Sequence, residues 1–331
     1  MRVEVDEEAA KRFALIVSSM ARAVKPNPFL EPEFYPPKDA SKREVTAYFL
    51  VMTAMDHRAS RPGKPYEGVI EGRTYRGAEL LYRLGSMKFG EDRGFFEAER
   101  LAKVRMNDIE EWLTWNGRLR KPPDVEVRTE LLRDIGEKLL RLYDGDPFRL
   151  VLEARGKLKE GARGFIVDLK AFKAFRDPVE KKAFLLAKFL ERRGVLQILD
   201  QHNKEVPVDN HLVRIALRVG LVRVDDESLE KIAGGVELSE EEDVMIRYAV
   251  RTAYKEVAVR GSIDPFLLDD VIWNFGRNCC SRERPTCRGS CSPECAAMAG
   301  CNGGCSLSPI CAAFREPKFM VPEHRFYSYW Y

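Results

Sequence analysis

Two groups of residues in this 331-residue chain have types and spacings that could do chemistry. The first is cysteine. None occurs before residue 279; then Cys279, Cys280, Cys287, Cys291, Cys295, Cys301, Cys305 and Cys311 arrive together, all eight of the chain. Soft thiolates at short spacings suit zinc or an iron–sulfur cluster. Eight exceed the four ligands of one tetrahedral zinc, so the segment predicts one cluster with spare thiols, or two metal centres. The second group is Lys181-Lys182 in DPVEKKAFLLAKFL. At about 100° per residue, Val179, Ala183, Leu186, Ala187, Phe189 and Leu190 form one broad apolar face. Lys182 falls inside that face, between Phe189 and Leu186, and Lys181 falls opposite, beside Lys188 and Arg192. A lysine on an apolar face is desolvated, which lowers its pKa and frees the amine lone pair for attack. The competing expectation is a lysine whose stem snorkels to water at the edge of the core.

These groups need elements to hold them, and most of the chain reads as helix. Ser41-Lys-Arg-Glu44 is a capping-box pattern, and VTAYFLVMTAM after it predicts a buried helix. RTELLRDIGEKLLRLYDGDP predicts an amphipathic helix ended by a Gly/Pro turn. Asp177-Pro178-Val179-Glu180 predicts a helix start just before the two lysines, and Ser239-x-x-Glu242 predicts another. Asp264-Pro265 opens the last long helix, expected to run to about Phe275 and stop at Gly276. EGVIEGRTYRG, residues 67 to 77, predicts a hairpin turning at Glu71-Gly72. The fold class is mainly α, with a cysteine-rich loop after the last long helix.

Composition bounds the function. With 45% hydrophobic and 32% charged residues the chain reads as globular, and no run of 18 apolar residues suggests a membrane span. The N-terminus is charged and lacks the layout of a signal peptide, so the expected compartment is cytoplasmic, where clustered thiols bind metal more often than they form disulfides. The net charge of +3 is unevenly spread. Residues 155–193 hold twelve Lys or Arg against five Asp or Glu, and residues 225–243 hold nine acids against one Lys. The basic stretch is compatible with a phosphate-backbone footprint, and equally with solvated helix faces.

An apolar helix, Gly-Arg, a cysteine, six residues and another cysteine resembles the iron–sulfur loop of endonuclease III, which uses C-x6-C-x2-C-x5-C. Cys280 and Cys287 match the first spacing, Cys305 and Cys311 the last, and RERPT lies between the first pair as in that family. Between Cys287 and Cys305 this chain has 17 residues in place of two, carrying Cys291, Cys295 and Cys301. Separately, VPVDNHLVRIALRVGLV from Val206 resembles the helix–hairpin–helix DNA glycosylase signature VDTHVxRVxxRLGL. The lysine-bearing segment resembles the archaeal 8-oxoguanine glycosylase pattern. Where endonuclease III has LSAQAT this chain has MTAMDH, residues 52–57, and where the hairpin reads LPGVG it has KAFKAFRDP.

The resemblance implies a divergent helix–hairpin–helix glycosylase: a two-lobed, mainly α fold with a C-terminal iron–sulfur loop. Its expected parts are an N-terminal helical segment (1–40), a glycosylase-like core (41–262), the last helix and cluster loop (263–315) and an aromatic tail (316–331). It implies Lys182 as nucleophile and Asp209 as the carboxylate that stabilises positive charge on the sugar, although Asp209 is also well suited to be a plain N-cap. Met55, Asp56 and His57 would line the base pocket. Arg282, Arg284 and Arg288, with Lys173 and Arg176 at the hairpin position, would meet phosphates. Cys280, Cys287, Cys305 and Cys311 would bind a [4Fe-4S] cluster, with Cys279, Cys291, Cys295 and Cys301 as alternates and zinc as the alternative metal. The partner implied is DNA, met by a monomer. Two other functions stay open: an N-glycosidase acting on a nucleoside or RNA-derived substrate, and a non-catalytic iron–sulfur protein that binds nucleic acid.

Overall fold

The computed structural model describes residues 1–60, 65–115, 124–299, 301 and 304–331. Along the chain, strand β1 (Val3–Val5) and helix α1 (Glu7–Ala23) precede α2 (Lys42–Met55), the hairpin β2 (Glu67–Ile70) and β3 (Arg73–Arg76), and α3 (Ala78–Glu91). Then come α4 (Ala98–Leu101), α5 (Met106–Leu113), α6 (Val125–Tyr143), α7 (Pro147–Glu153), α8 (Phe165–Leu169) and α9 (Lys181–Arg192). The remainder is α10 (Asn210–Val219), β4 (Val222–Val224), α11 (Asp226–Ala233), α12 (Glu240–Gly261), α13 (Pro265–Asn278), α14 (Pro293–Ala299) and α15 (Ala312–Arg315). The fold is therefore mainly α, as the sequence predicts. No described helix is long and apolar enough to cross a membrane.

The chain forms two compact units, residues 27–203 with 328–331, and residues 1–26 with 204–327. In the first, α2 is central. Every residue from Val45 to Met55 is buried, as expected of a helix that is apolar all round. Ser41 and Glu44 close the predicted capping box at its start. Helices α6, α7 and α9 pack on it, and Phe49 stacks on Phe189 at 4.6 Å. The hairpin turns at Glu71 (φ 52°) and Gly72 (φ 80°), where predicted; two residues with positive φ make the tight turn whose twist suits a two-residue hairpin.

The start of α9 differs from the sequence expectation. Asp177 and Pro178 form a separate turn: the Asp177 carboxylate accepts the amides of Val179 and Lys181, both at 2.9 Å. Glu180 takes a left-handed φ of 63°, and its carboxylate is held between Lys159 at 2.6 Å and Lys170 at 2.8 Å. The helix therefore begins at Lys181. Those ion pairs come from distant parts of the chain, which a local pattern does not contain.

In the second unit α12 packs against α1, and α10 against both α13 and α12. The predicted capping box of Ser239 and Glu242 opens α12. A strand pair the sequence reading did not foresee, β1 with β4, is antiparallel with Val3 opposite Val224; three residues per strand are too few for a period-two signal. Asp264 caps α13 as predicted, but the helix runs through Gly276 to Asn278. Gly276 is a packing position rather than a stop. A Cβ there would stand 2.8 Å from His211 Cβ, so the missing side chain lets α13 approach α10.

Candidate functional site

In the unit of residues 27–203 the chemistry gathers where the end of α2 meets the start of α9. Lys182 is fully buried. Its Nζ donates to the Ala54 carbonyl and stands 3.5 Å from His57 Nδ1. Burial holds its pKa well below the ordinary lysine value; the Lys181 charge pushes the same way and Asp56 opposes it. The environment therefore favours a neutral amine. The helical-face argument placed Lys182 on the desolvated side, and that is where it lies.

The same helical spacing puts Lys181 opposite the apolar face, beside Lys188 and Arg192, and the structure covers that side too. Lys181 is only 7% exposed and Lys188 only 4%. Lys181 Nζ reaches the Asp56 carbonyl at 3.1 Å and its carboxylate at 3.3 Å. Packing around α9 covers more than the apolar face, and the cation exchanges water for an acidic partner at the α2 terminus.

Met55 is buried, Asp56 ends α2, and His57 is 4% exposed. The turn they form is fixed by a residue that sequence reasoning missed. Arg128 on α6 is 1% exposed; its guanidinium donates to the Met55 carbonyl and, at 3.4 Å, to that of His57. Burial brings its pKa down to about 10. The cue for Arg128 was present only in its helical register among the core leucines of α6. The basic residues at the hairpin position have local partners: Lys173 pairs with Glu130 at 2.6 Å, and Arg176 donates to the carbonyls of Lys170 and Ala171.

In the unit of residues 204–327, Asp209 is the N-cap of α10. Its Oδ1 accepts the amides of His211 at 2.8 Å and Leu212 at 3.1 Å. Both bonds fall on one oxygen, so the cap does not engage Oδ2. Beside it, Arg214 donates to His211 Nδ1 at 2.9 Å, which places the imidazole proton on Nε2. Burial lowers the His211 pKa, with Arg214 adding to the effect and Asp209 opposing it.

Arg214 and Arg218, four residues apart on one face of α10, lead from Asp209 to the cysteine segment. Arg214 bonds the Gly276 carbonyl at 2.7 Å, the Cys280 carbonyl at 2.9 Å and the buried Glu323 at 2.8 Å. Arg218, 2% exposed, donates to the Ser281, Arg282 and Val321 carbonyls and to Cys280 Sγ at 3.3 Å. Neither is given a role of its own by the sequence; both fall on arginines of the VDTHVxRVxxRLGL signature.

The eight cysteines divide evenly. Cys279 lies at disulfide distance from Cys295 and Cys291 from Cys301, while Cys280, Cys287, Cys305 and Cys311 are free thiols. Burial raises the pKa of Cys287 and Cys305, and lifts Cys311 to about 11. The charge of Cys280 acts on all three, that of Cys287 on Cys305, and that of Cys305 on Cys311. Cys311 Sγ also donates to the Arg218 carbonyl at 3.3 Å. Four reduced thiols are the soft donors that an iron–sulfur cluster takes. The sulfurs of Cys291, Cys295 and Cys301 also lie within 4.8 Å of one another and could hold a metal ion. Arg282, Arg284 and Arg288 are exposed on this segment, with Arg282 3.7 Å from Glu323.

No family model matches the chain, and no curated protein matches it. Among solved structures it is similar to a thermostable thymine-DNA glycosylase, with a TM-score of 0.48 and 13% identity over 93% of this chain and 98% of that one. It is also similar to an 8-oxoguanine DNA glycosylase from Pyrobaculum aerophilum in complex with 8-oxoguanosine, with a TM-score of 0.46 and 16% identity over 90% and 97%.

Proposed function

We propose that this chain is a helix–hairpin–helix DNA glycosylase with lyase activity, removing a damaged base from DNA through a lysine Schiff base. The observation that carries the reading is Lys182. A lysine enclosed on all sides, held below the ordinary lysine pKa by burial, is an amine prepared for attack on carbon. A second support is Asp209, which opens the PVD-x-H-x-x-R segment and keeps one carboxylate oxygen outside its cap.

In this reading the target nucleotide leaves the duplex, since a stacked base cannot be reached. The sugar approaches Lys182 by displacing the Met55–His57 turn. The Nζ lone pair forms a bond to C1′ as the bond from C1′ to the base breaks, and the base leaves with that electron pair and a proton. Asp209 stabilises positive charge on the sugar as it develops. Opening of the sugar ring gives an iminium; loss of a C2′ proton then expels the 3′ phosphate, and water releases the lysine. A [4Fe-4S] cluster on Cys280, Cys287, Cys305 and Cys311 would be structural, ordering the segment that presents Arg282, Arg284 and Arg288 to phosphates.

One observation favours a second reading. Lys182 donates to the Ala54 carbonyl near the C-terminus of α2, as a purely structural cap does. The two readings separate cleanly. The protein, purified anaerobically, is incubated with duplexes carrying a panel of damaged bases in the presence of borohydride. The expected result is a covalent protein–DNA adduct that Lys182→Ala abolishes while the variant remains folded and still binds DNA. An adduct retained in Lys182→Ala removes Lys182 as the nucleophile and leaves it as a cap, and none from folded, iron-loaded protein on any duplex overturns the glycosylase/lyase reading.

A further inference from the structure

The four cysteines not assigned to the cluster are gathered in one place. The Cys279–Cys295 and Cys291–Cys301 pairs touch through Cys301 Sγ and Cys295 Sγ, 3.5 Å apart. Cys279 and Cys295 are each 1% exposed and Cys301 is 5% exposed. Thr286 ties the group to the end of α13, its hydroxyl donating to the Cys279 carbonyl at 2.8 Å and standing 3.6 Å from Cys295 Sγ. We propose that Cys279, Cys291, Cys295 and Cys301 form a second centre, a tetrahedral four-thiolate zinc site that closes the 287–305 insertion.

Three lines of argument converge. The first is geometry. A zinc ion with Zn–S distances of about 2.3 Å sets its sulfurs about 3.8 Å apart; the sulfurs of Cys291, Cys295 and Cys301 lie within 4.8 Å of one another, and Cys279 joins them through its disulfide-distance contact with Cys295. A four-iron cluster interposes its own iron and sulfide atoms and holds its ligands farther apart, so this group fits a single ion.

The second is redox chemistry. Cys280, joined by a peptide bond to Cys279, is a thiol, as are Cys287, Cys305 and Cys311. Thiolates attack neighbouring disulfides, so a segment half oxidised and half reduced is open to exchange. Zinc needs no oxidant: four thiols bind the ion as thiolates and release four protons. Each pair of residues would otherwise lose two electrons to form a disulfide.

The third is folding. From residue 281 to 310, apart from cysteine and proline, only Met298, Leu307 and Ile310 carry apolar side chains larger than alanine. A segment so poor in core residues folds on cross-links or metal. The adjacent pair Cys279-Cys280 lets the end of α13 supply one ligand to each centre.

This inference does not rest on the glycosylase reading. The test uses the full chain purified without chelator under anaerobic conditions. Zinc and iron are measured per chain by mass spectrometry of the elements. The result expected is about one zinc in addition to iron. Cys291→Ser combined with Cys301→Ser should lose the zinc and keep iron and its visible absorbance. Cys280→Ser should lose iron and keep zinc. Where a variant does not fold, the unsubstituted protein decides the matter: denatured with chelator and no reductant, it should take up alkylating reagent at all eight cysteines. Linked peptides joining Cys279 to Cys295 and Cys291 to Cys301, or a folded, iron-loaded protein with no zinc, or extra iron in place of zinc, would each overturn the proposal. None of these outcomes alters the borohydride result, so the two readings fail separately.

Discussion

Lys182 and Asp209 each carry a structural role that must be separated from chemistry, and conservative substitutions separate them. Asparagine caps a helix about as well as aspartate, within about 0.5 kcal/mol, but carries no charge. Asp209→Asn should therefore leave thermal stability nearly unchanged while reducing base release by about 10²-fold or more, measured by single-turnover kinetics on the trapped substrate. For Lys182 the pH dependence is informative. Its folded pKa is depressed, so between that value and the unfolded value near ~10.4 the unfolded chain binds more protons. Stability is full above the unfolded pKa and is lost as pH falls toward the folded one. Lys182→Met should gain stability relative to the parent as pH falls through that window, read from denaturant midpoints. Adduct formation in the parent should persist below the ordinary lysine pKa and fall as acid protonates the amine.

Two contacts between elements bear on whether α10 is held correctly. Gly276 lets α13 approach α10 at His211. Gly276→Ala should cost about 1–3 kcal/mol through overpacking, visible as a lowered Tm, and should displace His211. The second contact ties the C-terminal tail to α12. Asp243, buried with no exposure, accepts from His324 at 2.7 Å and from Arg247 at 3.0 Å. Burial raises its pKa, but the His324 hydrogen bond and the Arg247 charge outweigh this and the net shift is downward. A depressed carboxylate contributes stability above its unfolded value near ~3.9 that is lost as pH falls through the folded value. Asp243→Asn should remove that acid-range dependence and cost about 3–5 kcal/mol, because the buried Asp243–Arg247 ion pair is broken. Acid titration of the two proteins by circular dichroism checks both points.

At the scale of the whole molecule, charge placement bears on how the proposed nucleic-acid partner would be met. Much of the basic stretch from 155 to 193 is occupied internally: Lys159 and Lys170 by Glu180, Lys173 by Glu130 and Lys181 by Asp56. Arg193 is spent on the carbonyls of Phe29, Pro36 and Pro37. The exposed arginines of the cysteine segment are the better candidates for phosphate. If Arg282, Arg284 and Arg288 each neutralise one phosphate, replacing all three by alanine should flatten the slope of log K against log salt by about 2.7. Equilibrium binding to an undamaged duplex at several salt concentrations measures it, and an unchanged slope would remove these residues from the interface.

The sequence by itself determined what is local. Caps at Ser41, Ser239 and Asp264, the Glu71-Gly72 turn and the apolar run of α2 are fixed by neighbours within a few residues, and each appears where its pattern places it. The desolvated position of Lys182 was legible for the same reason, because one helical period defines an apolar face. What needed the tertiary structure was every feature set by a partner distant in sequence. The burial of Lys181 is not visible in its own helix, which shows nothing of Asp56, 125 residues away. The start of α9 moved because Glu180 answers to Lys159 and Lys170. Gly276 looked like a helix stop because the approach of His211 is invisible along the chain. Nothing along the chain shows that folding buries Arg128, Arg214 and Arg218 against backbone carbonyls. Burial and long-range charge pairing are properties of the packed molecule; periodicity and capping are properties of the string.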